Sequence, residues 1–349
     1  MHFSLTTHHS QLTMDSLTHI ALGACMGEAF LDRKLGKKAM LWGALAQSIP
    51  DIDFVASLWM NTSNNLLAHR GFTHSFLFVA IITIFFSLIA ERWHRPHNIS
   101  LKRWMIFFGG VIFFHVFIDA FNNYGVGWFE PFSHQRISFN AIYVADPFYS
   151  IWPGLAVILL IVSKHSWRGR KKWWMMGLGM SSIYLLYCLF NKTMTDNNVR
   201  QILKKQDIQY TRYFSTPTAF QNWLWYVVAG NDSGYYIGYK SVFDSKQKID
   251  FVYFPRNDQL LDSVENTEEL QKLKRFSQEF YTVEKWNDTL VFNDLRFGQI
   301  TGWRDPNNHF VFHYYLKDSA DNKLVVQRGR FEGWDREAFN SLVKRISGN

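Results

Sequence analysis

Cysteine is nearly missing: Cys25 and Cys188 are the two in 349 residues. Both lie in apolar stretches. That excludes a disulfide framework and a Cys-x-x-Cys metal site, and leaves the thiols as small apolar filler. Familiar catalytic signatures are missing too. There is no His-Glu-x-x-His helix, no Gly-x-Ser-x-Gly elbow and no glycine-rich phosphate loop ending in Lys-Ser/Thr. Neither an internal repeat nor a low-complexity tract is present. The opening MHFSLTTHHSQLT lacks the basic-then-apolar layout of a secretory signal. Met14, followed by DSLTH, is the expected start, so His2, His8 and His9 carry little weight. A formal charge of +8 would suit nucleic acid, but the basic residues sit in short loops or are dispersed, with no stripe.

What the chain has is aromatic and aliphatic side chain. Aromatics make up 17% of it, concentrated around apolar runs as in membrane-interface belts. The mean hydropathy of −0.13 averages two unlike parts. Four runs read as membrane helices: Ser75–Ala90, Trp104–Phe121, Phe148–Val162 and Trp173–Phe190. Two earlier runs, Leu17–Leu31 and Ala39–Ile49, are shorter. Their Gly23, Gly27 and Gly43 would let helices approach closely, as full spans or as re-entrant segments.

Three loops are basic: Asp32–Lys38, Glu91–Arg103 and Lys164–Lys172. Placing all three in the cytoplasm satisfies the positive-inside tendency with six crossings. The expected architecture is a polytopic α-helical membrane domain over 14–191, with about six apolar helices, the first two short. A soluble α+β domain over 192–349 follows, extracytoplasmic, in a bacterial inner membrane. In that domain helices are expected at Asn198–Lys205, Thr267–Glu279 and Arg336–Ile346. Strands are expected at Trp223–Val228, Gly234–Phe243, Phe251–Phe254, His309–Leu316 and Leu324–Phe331.

The ionisable residues of the first domain then fall on one side of the membrane. His19 starts the first run, Asp51 and Asp53 follow the second, and His69 and His74 precede the third. His115 and Asp119 lie near the end of the fourth, one turn apart on one helix face. Asp146 starts the fifth. Imidazole with carboxylate suits Zn²⁺ first and Mn²⁺ second, and bridging carboxylates support two-metal sites. Bland readings exist for each: an interfacial His, a Pro-Asp-x-Asp turn with an Asx cap, a buried His–Asp clamp between helices. His115 and Asp119 resist them most, because ionisable groups inside an apolar helix are costly and mark function by default. Glu28, alone in the first run, is expected to pair with a basic loop residue.

MDSLTH (Met14–His19), PDID (Pro50–Asp53), HRGFTHS (His69–Ser75), HVFIDAFNNYG (His115–Gly125) and PFSHQR leading to DP (Pro131–Arg136, Asp146-Pro147) occur in that order. Together they resemble the YdjM-type family of inner-membrane proteins regarded as metal-dependent hydrolases, over roughly residues 14–190. The tail resembles the C-terminal region of longer members. A looser likeness in ligand order is to zinc-dependent phospholipase C and P1-type nucleases: His19, Asp51 or Asp53, His69 or His74, then His115 with Asp119. The later His and His-x-x-x-Glu pair of those enzymes is missing. Phosphodiester hydrolysis is thus an analogy.

The reading that follows is a membrane hydrolase with a one- or two-metal centre, of zinc or a similar ion, facing outward. Ligands come from His19, Asp51, Asp53, His69, His74, His115 and Asp119. Asp53 or Asp146 would serve as general base, and Arg70 or Arg136 would steady an anionic transition state. An ester or phosphodiester, lipid by virtue of the interface, is the expected substrate. The rivals are a metal-stabilised scaffold without turnover and an ion transporter. The mostly apolar inner halves of the runs count against the transporter.

Overall fold

Helix α1 (His9–Leu35) ends at Gly36, whose φ of +60° suits a residue without a side chain. The chain then doubles back as α2 (Lys38–Ser48). At their crossing a Cβ on Gly43 would run into the carbonyl oxygen of Gly23, and one on Gly27 into that of Ala39. The close approach anticipated from these glycines is therefore a backbone-to-backbone contact. This computed structural model describes residues 9–94, 99–264, 267–316 and 334–348.

Beyond α2 come a 3-10 turn (Pro50–Leu58), the short helix α3 (Thr62–Ala68) and a second 3-10 turn (Phe72–His74). Next are α4 (Phe76–Trp93), α5 (Leu101–Asp119), α6 (Pro147–Val162) and α7 (Arg170–Lys205). Their starts are written in the sequence. Ser75 and Ser100 cap α4 and α5 by accepting N–H bonds, and Asp146 caps α6 ahead of Pro147 at its first position.

Among the described residues, three helices are long and apolar enough to cross a bilayer: α4, α5 and α7. The stretch Ser16–Leu31 of α1 and the 16 residues of α6 are apolar but shorter. With 11 residues, α2 is about 16 Å long against a hydrocarbon core of about 30 Å. Of the six crossings expected from the runs, helix length and composition support three among the described residues. Among the described helices, α5 carries the deepest core, with Trp104, Phe107, Val111, Ile112 and Val116 all fully buried.

One end of the bundle gathers the basic loops. Lys37 Nζ donates to the Ile161 carbonyl, Arg103 to that of Phe30, and His165 stands 3.6 Å from where a Gly36 side chain would be. Glu28 finds its partner here: Arg170 donates to it from Nε and Nη2, at 2.6 and 2.7 Å, with both side chains buried.

Helix α7 runs unbroken through position 191 and enters the second part of the chain. There, β1 (Arg212–Pro217), β2 (Leu224–Gly230), β3 (Gly234–Ser241) and β4 (Val252–Pro255) form an antiparallel sheet in sequential order. A second antiparallel sheet holds β5 (Tyr281–Trp286), β6 (Thr289–Gln299) and β7 (Phe310–Tyr315). Helices α8 (Thr267–Phe276) and α9 (Arg336–Ile346) complete the described part. Four expected strands reappear within a residue or two, as β2, β3, β4 and β7, and the expected Leu324–Phe331 lies outside the described residues. Strands β1, β5 and β6 escaped the sequence reading. RYFSTP, YTVEKW and TLVFNDLRFGQ mix charged or turn-forming residues into their alternation.

Candidate metal centre

The end of the bundle opposite the basic loops holds the acids and imidazoles. Helix α5 delivers His115 and Asp119 on one face. The Pro50–Leu58 turn delivers Asp51, and the turn before α4 delivers His74. One donor atom from each of Asp51, His74, His115 and Asp119 lies within 4.8 Å of all the others.

The spacings are those of ligands around a shared cation. His115 Nε2 stands 3.2 Å from His74 Nε2, and His74 Nε2 is 3.2 Å from Asp119 Oδ2. His115 Nε2 lies 3.4 Å from Asp51 Oδ1 and 3.6 Å from Asp119 Oδ2, while His74 Nε2 and Asp51 Oδ1 are 3.7 Å apart. A tetrahedral centre with bonds of ~2.05 Å has edges of ~3.3 Å. Asp119 Oδ2 is buried and has no hydrogen bond among the described residues, although two imidazole nitrogens flank it. Charge points the same way. Among the described residues, Asp51, Asp53 and Asp119 have one guanidinium in their cluster, that of Arg70, whose Nε is 3.2 Å from Asp119 Oδ2. With neutral imidazoles this leaves a formal −2, which a divalent cation would balance. The donor set thus fits Zn²⁺ or a similar ion.

The other ligand candidates stand behind these four. His19 Nε2 is 3.1 Å from Asp119 Oδ1, and its ring lies over His115 with centroids 3.9 Å apart. Because the ionised Asp119 can only accept, His19 carries its proton on Nε2, and Nδ1 accepts from Gln47 Nε2 at 3.4 Å. The bond on Oδ1 leaves Oδ2 for the donor set. Asp53 accepts the Arg70 backbone N–H at 2.7 Å and the Thr73 hydroxyl at 3.3 Å, with His74 Nδ1 3.6 Å away. It braces the turn that carries His74. His69, a third exposed, is 3.3 Å from Asp53 Oδ1 and outside the four-donor set.

The expected catalytic groups are similarly engaged. Arg70 is buried, with its guanidinium 5.2 Å from the Tyr124 ring centroid. Arg136 is turned to backbone, donating to the carbonyls of Gly125, Leu66, Leu67 and His69. It ties the end of α3 to the 125 loop. Asp146 caps α6 and accepts the Tyr184 hydroxyl at 3.0 Å. It also lines a cavity of about 20 Å³ together with His19 and Asp119, room for a water or two.

Titration follows these contacts. Burial works to raise the Asp51 and Asp53 carboxyls, but the imidazoles of His115 and His69 respectively overcome it and hold both below the usual range. Burial would lower His74, yet Asp119, Asp51 and Asp53 outweigh it and push the imidazole up to about 9. Burial raises Asp146 to about 6. Two supporting residues went unnoticed in the sequence, Gln47 and Thr73. Gln47 had a signal, being an amide inside the short apolar run Ala39–Ile49, and the structure buries it fully. Thr73 had none beyond its place between His69 and His74.

An apolar helical bundle holding a His/Asp donor set at one end defines a membrane protein with a metal-competent centre. The chain belongs to the family described as YdjM inner membrane protein, which it matches over residues 14–195. It is 25% identical to the inner membrane protein YbcI of Escherichia coli (strain K12) over 152 residues, 43% of this chain and 80% of YbcI. It is 34% identical over 145 residues to YfhP of Bacillus subtilis (strain 168), described as an uncharacterized protein. That match covers 40% of this chain and 43% of YfhP, so it spans less than half of the Bacillus relative. No solved structure is significantly similar to the chain.

Proposed function

We propose that the chain is a membrane-bound, metal-dependent hydrolase that cleaves an ester or phosphodiester of an amphiphile at the outer face of the bacterial inner membrane. The observation that carries this is the donor set of Asp51, His74, His115 and Asp119, with nearest-neighbour spacings of 3.2–3.7 Å. A divalent cation held there supplies Lewis acidity and acidifies water at neutral pH. The chain's own residues do the rest. His19 and Gln47 orient Asp119, Asp53 and Thr73 orient His74, and Arg70 offsets part of the carboxylate charge. Asp146, at about 6 on the wall of the adjoining cavity, has the basicity to accept a proton near neutral pH.

The lipid element rests on what surrounds the donors. Ile52 and Phe54 alternate with Asp51 and Asp53 and are exposed, and Leu58 and Trp59 follow them at 78% and 69%. Phe129 and Phe132 are exposed next to Trp128, whose ring stacks on Phe76 at the start of α4. Apolar side chains ringing a polar pocket at a helix end suit the lipid–water boundary. The gathering of the basic loops at the opposite end supports an outward-facing site and an extracytoplasmic C-terminal domain.

Metal content of the purified full chain, followed by turnover of bis(p-nitrophenyl) phosphate, p-nitrophenyl esters and phospholipid vesicles, tests the reading. Stoichiometric metal with turnover that His115→Ala abolishes in a folded protein supports it. Bound metal with no turnover across the panel hands the site to the scaffold alternative. Reporter fusions at Lys172 and after Lys205, the two ends of α7, should report opposite sides of the membrane. Two cytoplasmic signals would refute the orientation.

A further inference from the structure

A second cavity, of about 60 Å³, lies where the two sheets meet the connection between α5 and α6. None of the four metal donors lines it. Three of its walls form one cross-strand row. Thr216 pairs with Tyr226 across β1 and β2, and Tyr226 with Tyr239 across β2 and β3. A fourth wall is a bulge. The register of β6 against β7 shifts between Asp294 and Gln299, with Gly298 at a φ of +77°, and Phe297 to Gln299 line the cavity there. Bulges of this kind re-aim side chains beside binding sites. Thr301, a β-branched residue with φ of +46°, sits in the turn just past the bulge, a backbone state that β-branched residues rarely adopt. Trp303 and Trp334 close the far side.

The lining is aromatic and neutral-polar, with no charged side chain among the described residues. Phosphate or carboxylate would find no cation here. Tyr226 is 1% exposed, and its hydroxyl has no hydrogen-bond partner among the described residues. An enclosed hydroxyl left that way is costly unless a ligand or water completes it. The aromatic faces are not parallel: Trp303 and Trp334 meet at 69°, and Tyr226 and Tyr239 at 55°. A flat base prefers two parallel faces. A puckered ring with C–H faces and peripheral hydroxyls can use one aromatic face and several edge donors at once. Tyr143 belongs to this cavity and also to the small one that His19, Asp119 and Asp146 line.

We propose that this cavity binds a neutral, hydroxyl-rich ring, a sugar residue. The bound ring would be the headgroup of the amphiphile whose ester or phosphodiester lies beyond Tyr143 at the donor set. That assignment as substrate rests on the hydrolase reading; the binding itself does not.

The test uses the full chain in nanodiscs and saturation-transfer NMR with glucose, galactose, mannose and N-acetylglucosamine as probes. Uridine and inorganic phosphate serve as rivals. At least one monosaccharide should receive saturation on its ring protons, unchanged by metal chelation, and Tyr226→Phe should weaken that binding about tenfold. The same variant should raise the melting temperature of the sugar-free protein, because it deletes an unsatisfied hydroxyl. A structural role for that hydroxyl would lower it and overturn the proposal. So would a folded protein that takes up no sugar, or one that binds uridine or phosphate instead. Metal content and turnover measured on the same preparations separate the two readings. Turnover without sugar binding sinks this inference alone, and sugar binding without turnover sinks the hydrolase alone.

Discussion

Metal binding at this centre should be steeply pH-dependent through one residue. His74 must offer its Nε2 lone pair, yet Asp119, Asp51 and Asp53 hold the metal-free imidazole protonated up to about pH 9. The cation therefore displaces a proton. With an apparent constant proportional to the deprotonated fraction, affinity at pH 7 is ~100-fold below its alkaline limit and at pH 6 ~1,000-fold below it. Asp51 and Asp53 are already ionised throughout this range, so the slope stays close to one decade per pH unit from pH 6 to 8. Titration calorimetry of chelator-stripped protein with Zn²⁺, in buffers of different ionisation heat, reads both quantities. About one proton should leave per ion at pH 7. In Asp53→Asn, which removes one of the carboxylates raising His74, the curve should level off at lower pH. A flat affinity between pH 6 and 8 with no proton released would show that the carboxylates do not surround His74 as described.

Three further outcomes are expected. The metal-free protein should melt highest between about pH 4 and 6.5. His74, raised above its ordinary 6.5, contributes stability that is complete below that value and is lost as pH rises towards about 9. Asp51 and Asp53, lowered from 3.8, contribute stability that is lost as pH falls below it. A melting temperature that keeps rising from pH 6.5 to 9 would contradict this. Glu28→Gln should cost about 3–5 kcal/mol by leaving Arg170 buried without its counter-charge, whereas the paired Glu28→Leu, Arg170→Met variant should recover most of that loss. Denaturant titration checks it, and metal content per folded molecule should not change in either protein. Gly43→Val should drive α2 off α1 at the Gly23 carbonyl and carry Gln47 away from His19. A 10–100-fold loss of zinc affinity is expected, measured with a competing chelator, and unchanged affinity would refute the linkage.

The donors were legible because they break a rule. A His and an Asp one turn apart inside HVFIDAF, and a Glu inside ALGACMGEAF, are expensive where they stand, so each implied a partner before any was visible. The partners were less legible, since Asp51 and Asp53 are chemically alike and so are His69 and His74. Only the geometry separates Asp51 and His74 in the donor set from Asp53 and His69 behind it. The number of full crossings was less legible for a related reason. Apolar composition marks burial in protein as readily as burial in lipid, and α2, with buried Ala39, Met40 and Ala46, is apolar because it packs against α1 and α5. The strands β1, β5 and β6 were lost because buried polar residues such as Ser215, Asn293 and Asp294 interrupt the alternation that would have revealed them.

Those buried polar residues also bear on how the two parts of the chain act together. Asn191 on α7 donates to Asn222, and Asn222 donates to the Ala141 carbonyl in the connection that leads to Asp146. Asn123, four residues past Asp119, donates to the Arg296 carbonyl at the β6 bulge, and Arg275 of α8 reaches Glu130. Asn191 and Asn222 are buried, so separating the parts would strand amides without water, at about 1–3 kcal/mol each. A polar joint of this kind is specific in register where an apolar one can slide. The aromatic cavity is thereby held at a fixed offset from the metal centre, with Tyr143 between them. A substrate that fills both would be positioned by the joint itself, without any lid.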